Sequence, residues 1–511
     1  MARRAALGRQ KPKPAMNGTG KSDRSIVPTK SPNKPRELAA EAAEGRGRTK
    51  GNRGQQNASR TQSRTSAPSA LDRVREAARR NKKAKFTALL HHVTIDRLRS
   101  CFQAVHKEAA PGVDGVTWAQ YEANLEDSLR DLHARVHQGT YRAKPARRAY
   151  IPKADGRQRP LGIVVLEDKI LQRAVVEVLE AIYETDFLGF SYGFRPRRCQ
   201  HDALDALAAG IAKRKVSWVL DADIRGFFDA IDHGWLMQFL EHRIADRRLL
   251  RLIQKWLRAG VMEHGQWAEC PEGTPQGAPI SPLLANLYLH YALDLWAQKW
   301  RSQPGVGDVV IVRYADDFIF GFQYRTAASR FLEDLKERLR KFALELHPEK
   351  TRLLEFGRFA VERRQKQGLG KPETFNFLGF THICARTAKG DFVLRRQTIR
   401  KRMHSKLREV KTELRRRWHQ TITEQGEWLG SVLRGHFAYY AVPTNSAALK
   451  VFYYQVQRRW LRVLRRRSQK DKTTWSELRK YSERWLPKPR ILHPWPKDRF
   501  NVRTQGRSPV R

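Results

Sequence analysis

The chain has 511 residues, and its 99 Lys and Arg outweigh 52 Asp and Glu to give a formal net charge of +47. Hydrophobic residues make up 40%, enough for packed cores and too many for a wholly disordered chain. A positive excess this large repels itself unless a polyanion neutralises it, and nucleic acid is the expected polyanion.

By length the chain suits roughly three domains. No apolar run approaches the ~18 residues of a membrane-spanning helix, so no membrane partner is expected. The basic N-terminus has no apolar stretch after it and is not a secretory signal, although an organelle transit peptide stays open. Cys101, Cys199, Cys270 and Cys384 stand far apart with no CxxC pair. That spacing argues against a zinc ribbon or a disulfide framework and for reduced thiols in a cytosolic-type compartment.

Residues 1–68 are rich in Arg, Lys, Gly, Ser, Asn, Gln and Pro and almost lack aromatics, so a disordered basic extension is expected. Ser69 can cap a helix carrying Leu71, Val74, Ala77 and Ala78 on one face. From about 86 to 385 apolar strands alternate with amphipathic helices, which implies an α+β domain over 69–385. Residues 218–224 and 309–314 read as strands, and 318–322 as the hairpin partner of the latter around Ala315-Asp316-Asp317. After about 390 the chain turns helical and basic. Ile399, Met403, Leu407, Val410 and Leu414 share one helical face, and Tyr453, Val456, Trp460, Val463 and Leu464 another. Pro487, Pro489, Pro494 and Pro496 end regular structure, so 486–511 reads as a basic flexible tail.

Tyr314-Ala315-Asp316-Asp317 falls between two apolar strands. Adjacent carboxylates at a hairpin tip repel each other, and a divalent cation such as Mg²⁺, which prefers hard oxygen ligands, is the natural compensation. Asp223 ends another apolar strand. Three carboxylates from two strand regions can hold two Mg²⁺ ions about 4 Å apart, one activating an attacking hydroxyl and the other steadying a leaving group. For these residues taken alone, an ordinary Asp-Asp hairpin turn is the alternative.

The ordered motifs of this chain resemble those of group II intron reverse transcriptases, also called maturases. They comprise Ala110-Pro111-Gly112-Val113-Asp114-Gly115, the Ile151-Pro152-Lys153 to Ile163 stretch, Tyr192-Gly193-Phe194-Arg195-Pro196 and Asp223-Ile224-Arg225-Gly226-Phe227-Phe228-Asp229. Gly273-Thr274-Pro275-Gln276-Gly277, Ile280-Ser281-Pro282 to Asn286, the YADD, His347-Pro348-Glu349-Lys350-Thr351 and Phe377-Leu378-Gly379 complete the set. The resemblance runs from about Phe86 to Pro496. It implies a right-hand polymerase of fingers and palm, then an α-helical thumb and a basic maturase domain over 386–485.

The resemblance also implies roles. Asp223, Asp316 and Asp317 match the ligands of two Mg²⁺ ions, with Asp317 the least certain direct ligand. Phe228 matches the position under the incoming sugar, where a ring excludes a 2′-hydroxyl and selects dNTPs. Lys153 and Arg159 match residues that neutralise the triphosphate, a task suited to charge-assisted contacts. Ile224 and Gln276 fall on the same nucleotide side, and Lys350 matches a general acid for pyrophosphate. Phe377, Leu378 and Gly379 resemble a primer-gripping turn, although the two apolar residues suit a core equally well. Arg434, Tyr439, Tyr440, Arg458 and Arg459 are expected RNA contacts, with solvated charge and core aromatics as the plainer reading.

The implied partners are the chain's own group II intron RNA, an RNA template with a DNA primer, and target DNA. The implied setting is cytoplasmic, nucleoid-associated and bacterial. Nothing after Lys480 has the paired Cys and His spacing of the nuclease that ends many relatives, so no DNA endonuclease is expected. Two other readings stand beside the polymerase: an RNA-binding splicing factor with a vestigial polymerase, and a domesticated reverse transcriptase in a defence setting.

Overall fold

The computed structural model describes residues 70–152, 158–263, 266–269, 272–274, 276–467 and 472–499. The N-terminal extension to residue 68, the Ser69 cap, Lys153 and Cys270 lie outside the described residues.

Helix α1 (Ala70–Arg80) buries Leu71 and Ala78, with Val74 half-buried and Ala77 exposed rather than on the packed face. It packs with α2 (Ile95–Gln103) and α3 (Leu125–Gln138) around α4 (Leu166–Tyr183). Ile170, Leu171, Ala174, Val175, Val178 and Leu179 of α4 are all fully buried. A helix whose apolar stripe is buried this completely belongs in a core. Before α4, strands β1 (Ala146–Pro152) and β2 (Gln158–Ile163) form an antiparallel hairpin. Short strands β4 (Val261–Glu263) and β5 (Gln266–Ala268) extend it into a sheet of order β2-β1-β4-β5.

The central sheet has the order β6-β7-β3-β8, with β3 at Trp218–Asp223, β6 at Val309–Tyr314, β7 at Asp317–Phe322 and β8 at Arg352–Glu355. One face sends Leu220, Phe318, Phe320 and Phe322 against Phe331 and Leu335 of α9 (Arg325–Arg340). The other sends Val219, Val310, Val312 and Ile319 against Leu204, Leu207 and Ile211 of α5 (Gln200–Lys213). Covering on both faces explains why these strands read as continuous apolar runs rather than alternating ones. Each fully buried Phe here contributes about 1.5–3 kcal/mol of transfer free energy. Further helices of this α+β region include α6 (His233–Glu241), α7 (Arg247–Arg258) and α8 (Ser281–Leu289).

A third sheet, of order β11-β10-β9, is built from β9 (Phe375–Phe377), β10 (Phe380–Arg386) and β11 (Phe392–Thr398). The expected boundary at 385/386 therefore cuts the end of β10, inside an antiparallel hairpin; the change from strand to helix comes at Ile399. Beyond it, α10 (Arg400–Arg416), α11 (Ile422–Tyr440), α12 (Ser446–Leu464) and α13 (Trp475–Trp485) enclose a core of their own. Leu407, Val410 and Leu414 meet Val456 and Trp460 there, and Met403 packs against them, as the helical spacing predicts.

The C-terminal segment departs from the expected flexible tail as far as Arg499. The Leu492 amide donates to the Ala441 carbonyl at 2.9 Å, His493 stacks on His201 at 3.9 Å, and Arg499 Nε reaches Asp205 Oδ2 at 2.7 Å. Proline stops helices but leaves a chain free to pack through side chains, and composition does not report that packing. Among the described residues no helix is long and apolar enough to cross a membrane.

Candidate active site

The hairpin β6–β7 pairs Tyr314 with Asp317, so Ala315 and Asp316 form a two-residue turn. Tight hairpins of this kind need a left-handed residue in the loop, and Ala315 takes φ +56°. That conformation is costly for a residue with a Cβ, and the surroundings enforce it. Arg313, the residue before Tyr314, is fully buried and spends its guanidinium on Asp294, Asn286 Oδ1, Ser191 Oγ and the Ala315 carbonyl. Gly193 presses on the turn from outside; a Cβ there would lie 2.3 Å from the Ala315 nitrogen. Sequence reasoning placed Arg313 in a strand and missed its brace, whose signal was a lone arginine in an apolar run.

Asp223 ends β3 and sits directly opposite Asp317 in the β3–β7 register. Past it, the Ile224–Leu346 bridge and the His347 amide, which donates to the Asp223 carbonyl at 2.8 Å, lead the chain round to Lys350. The Lys350 ammonium donates to Asp223 Oδ2. Asp223, Asp316, Asp317 and Lys350 are thus gathered at one end of the central sheet. Asp221, two residues before Asp223 and so on the same strand face, adds a fourth carboxylate that sequence reading passed over.

The electrostatics show the crowding. Burial first and the Asp223 charge second raise the Asp316 carboxyl above its usual range, while Arg159 and Lys350 oppose. Asp317 is pushed up to about 7 by burial and then by Asp316, Asp223 and Asp221. Because Asp317 keeps an open face to solvent, repulsion among the carboxylates is the firmer of those causes. Asp221 is pushed up to about 6, again by burial first, with Arg352 opposing. Among the described residues no three acidic, His or Cys side chains stand close enough to cage an ion in this arrangement. The donor set nonetheless fits a divalent cation: hard oxygens, mutually repelling, with an ammonium already drawn onto one of them.

The residues expected on the nucleotide side fall on neighbouring segments tied to one another by backbone contacts. Phe228 lies in a short 3-10 turn (Phe227–Asp229), half-buried, with its ring edge-on to buried Phe227 at 5.5 Å. The Thr274 amide donates to the Phe228 carbonyl at 2.8 Å, which joins the Gly273–Gly277 turn to the same loop. The Gln276 carbonyl accepts from the Gly162 amide of β2 at 2.8 Å, and Gly277 (φ +119°) passes so close that a Cβ would lie 3.0 Å from the Gly162 oxygen. The Gln276 side chain points its amide at Asp229, 3.4 Å away. Arg159 is exposed on β2. Ile224, by contrast, is 3% exposed and belongs to the core, so its side chain does not face a nucleotide.

Residues 151–382 match the family described as "Reverse transcriptase (RNA-dependent DNA polymerase)". Over 240 residues the chain is 37% identical to Protein YkfC of Escherichia coli K12, a match covering 41% of this chain and 62% of that one. It is 35% identical over 240 residues to the group II intron-encoded protein LtrA of Lactococcus lactis subsp. cremoris, covering 46% of this chain and 40% of that one. A shorter match, 27% over 94 residues, is to nuclear intron maturase 1, mitochondrial, of Arabidopsis thaliana, covering 18% of this chain and 13% of that one. The chain is similar, over its polymerase region, to reverse transcriptases and to group II intron-encoded proteins. It spans less than two thirds of the length of these curated relatives.

The residues expected to grip primer and RNA divide into two sets. Phe377 is 4% exposed and ends β9, while Leu378 (φ +44°) and Gly379 (φ +82°) make the turn to β10. Tyr439 donates its hydroxyl to the Leu378 carbonyl at 2.9 Å, and Tyr439 and Tyr440 both pack on Phe380. The two tyrosines therefore join α11 to the β9–β10 turn instead of projecting freely. Arg459 is likewise committed: its guanidinium donates to the Leu407 carbonyl at 3.1 Å and to Gln455, which ties α12 to α10. Arg434 and Arg458 are exposed and remain available. Helical periodicity could not separate the two sets, because neighbours at i and i+1 point differently only once the partner helices are placed.

Proposed function

We propose that this chain is an RNA-directed DNA polymerase that also binds its own intron RNA and assists that intron's splicing and mobility. The observation that carries the reading is Asp223 facing Asp317 across β3–β7 with Asp316 in the adjoining turn. A scaffold that only bound RNA would gain nothing from repelling carboxylates held at such cost.

In this reading β1–β2 and the helices before them are the fingers, the central sheet is the palm, and α10–α13 are thumb and maturase domain. Asp223 and Asp316, with Asp317 beside them, would hold two Mg²⁺ ions, which when bound lower the charge barrier between a 3′-hydroxyl and the α-phosphate. The protein's own side chains do the rest. Arg159, together with Lys153, neutralises the triphosphate. The Phe228 ring closes the space a 2′-hydroxyl would need, and the Gln276–Gly277 turn lets backbone approach the nucleotide. Lys350, already beside Asp223, is placed to give a proton to the departing pyrophosphate. Exposed Arg434 and Arg458 take RNA phosphates. RNA template, DNA primer and target DNA are the nucleic-acid partners, in a cytoplasmic, nucleoid-associated setting.

The test is primer extension by the full chain with Mg²⁺, an RNA template, a DNA primer and dNTPs, run beside RNA binding. The expected result is extension that disappears in Asp316→Ala while RNA affinity stays within about twofold. Tight RNA binding with no extension under any divalent metal would overturn the polymerase half of the proposal.

A further inference from the structure

The Tyr192-Gly193-Phe194-Arg195-Pro196 motif has no part in the chemistry above, yet it sits against the catalytic turn. Tyr192 is buried and its amide donates to the Arg313 carbonyl at 2.9 Å. Gly193 presses on Ala315, and its carbonyl accepts from Asn286 Nδ2 at 2.7 Å. Arg195 is buried too, its guanidinium shared between the Glu184 carboxylate and the Leu188 and Ser191 carbonyls.

Between and beyond these anchors the chain does the opposite of what stability favours. Phe194 is 50% exposed with φ +57°, and Arg197 is exposed with φ +59°. Left-handed backbone is uncommon for any residue with a Cβ and rarer for a bulky one, and an exposed ring forgoes burial. Asn or Gly would relieve both faults, so the two side chains are held out at a cost to the fold. Strain of this kind, enforced by a rigid surround, marks contact positions.

Location indicates what they contact. Phe194 is one residue from Gly193 and Asp316 is one residue from Ala315, each a step of about 3.8 Å from the point where the two segments touch. Tyr192 and Tyr314 share a core cluster with Leu378 of the β9–β10 turn, so the segment that carries Phe194 is anchored beside both that turn and the carboxylate hairpin. The strand being extended must bring its 3′ end to those carboxylates. We infer that Phe194 and Arg197 form a rest for the primer strand near its 3′ end, the ring against a sugar–base face and the guanidinium on a phosphate. The inference rests on the polymerase reading.

Phe194→Asn keeps a left-handed backbone and removes the ring; Phe194→Trp keeps a ring. With wild type shown to extend primers, Phe194→Asn is expected to bind primer–template about 10-fold more weakly, the scale of one lost aromatic contact, with the KM for dNTP unchanged. Its thermal midpoint should match or exceed wild type, and Phe194→Trp should bind within about twofold. A p-benzoylphenylalanine at 194 should crosslink to labelled primer. Unchanged binding by Phe194→Asn, or crosslinks to template alone, overturns the inference and leaves the polymerase reading intact. A wild-type chain unable to extend any primer defeats both.

Discussion

Arg313 grips Asp294 through two hydrogen bonds, Nε to Oδ1 at 2.7 Å and Nη2 to Oδ2 at 2.6 Å, with both side chains sealed from solvent. The same guanidinium reaches the Ala315 carbonyl at 3.0 Å, so the pair is the floor on which the Ala315–Asp316 turn stands. Burial raises the Asp294 carboxyl while Arg313 opposes the rise. Removing one partner strands the other. Asp294→Ala is expected to lower unfolding free energy by about 3–5 kcal/mol in urea titration. Asp294→Leu combined with Arg313→Met should recover most of that stability, because two apolar side chains leave no buried charge. If positioning is the pair's purpose, the double variant folds yet extends primers poorly; full activity in it would reduce the pair to a structural tie.

Phe228 sits half-buried at the mouth of the site, its backbone pinned by Thr274 and its ring supported by Phe227. Phe228→Ala should therefore fold and lose discrimination rather than the reaction. We expect the ratio of kcat/KM for a dNTP to that for the matching NTP to fall at least 10-fold, about 1.4 kcal/mol of differential transition-state binding. A ratio unchanged in single-nucleotide incorporation assays would remove Phe228 from sugar selection.

Much of this was legible in the sequence. The strands ending in Asp223 and flanking Ala315-Asp316 read correctly because apolar runs bounded by acidic residues have few other uses. The helical faces of α10 and α12 followed from their spacing. What did not follow were tertiary choices. Ile224 carries the same motif as Asp223 but points into the core by strand alternation. Asp221, on the same face as Asp223, was passed over because a carboxylate inside a strand looks incidental without its neighbours. The boundary at 386 failed because a charged hairpin, Arg386 to Phe392, resembles the start of a basic domain. Segment 486–499 resembled a tail because its anchors, Asp205 and Ala441, are remote in sequence.

Arg458 and Arg459 are neighbours with different employment. Arg459 binds the Leu407 carbonyl and Gln455, whereas Arg458 is exposed. Arg459→Ala should cost about 1–2 kcal/mol of stability through lost charged hydrogen bonds, without altering the salt dependence of RNA binding. Arg458→Ala should leave stability within about 0.5 kcal/mol. If it neutralises one phosphate, its slope of log affinity against log salt should become shallower by about 0.7–0.9. Denaturant titrations paired with binding at several salt concentrations separate the two, and identical profiles for both variants would contradict the assignment.

His382 lies fully buried in β10, stacked on Phe375 at 4.8 Å, and neither ring nitrogen has a hydrogen-bond partner. Burial first and the Arg396 charge second push its pKa down to about 3, with the Phe380 backbone opposing. In the unfolded chain the ring titrates near 6.5. Below that pH the unfolded state takes up a proton that the folded state refuses, so the ring's contribution to stability is whole above 6.5 and is lost progressively as pH falls toward 3. His382→Phe cannot titrate and leaves no unpaired nitrogen in the core. It should be about 1 kcal/mol more stable than wild type at pH 7, and its advantage should widen steadily from pH 6.5 to pH 4. His382→Leu controls for the extra volume of the phenyl ring, which overpacking would penalise equally at every pH. Unfolding curves at half-unit pH steps decide the matter. A difference between wild type and His382→Phe that stays constant with pH would mean that the ring already takes up its proton in the folded protein.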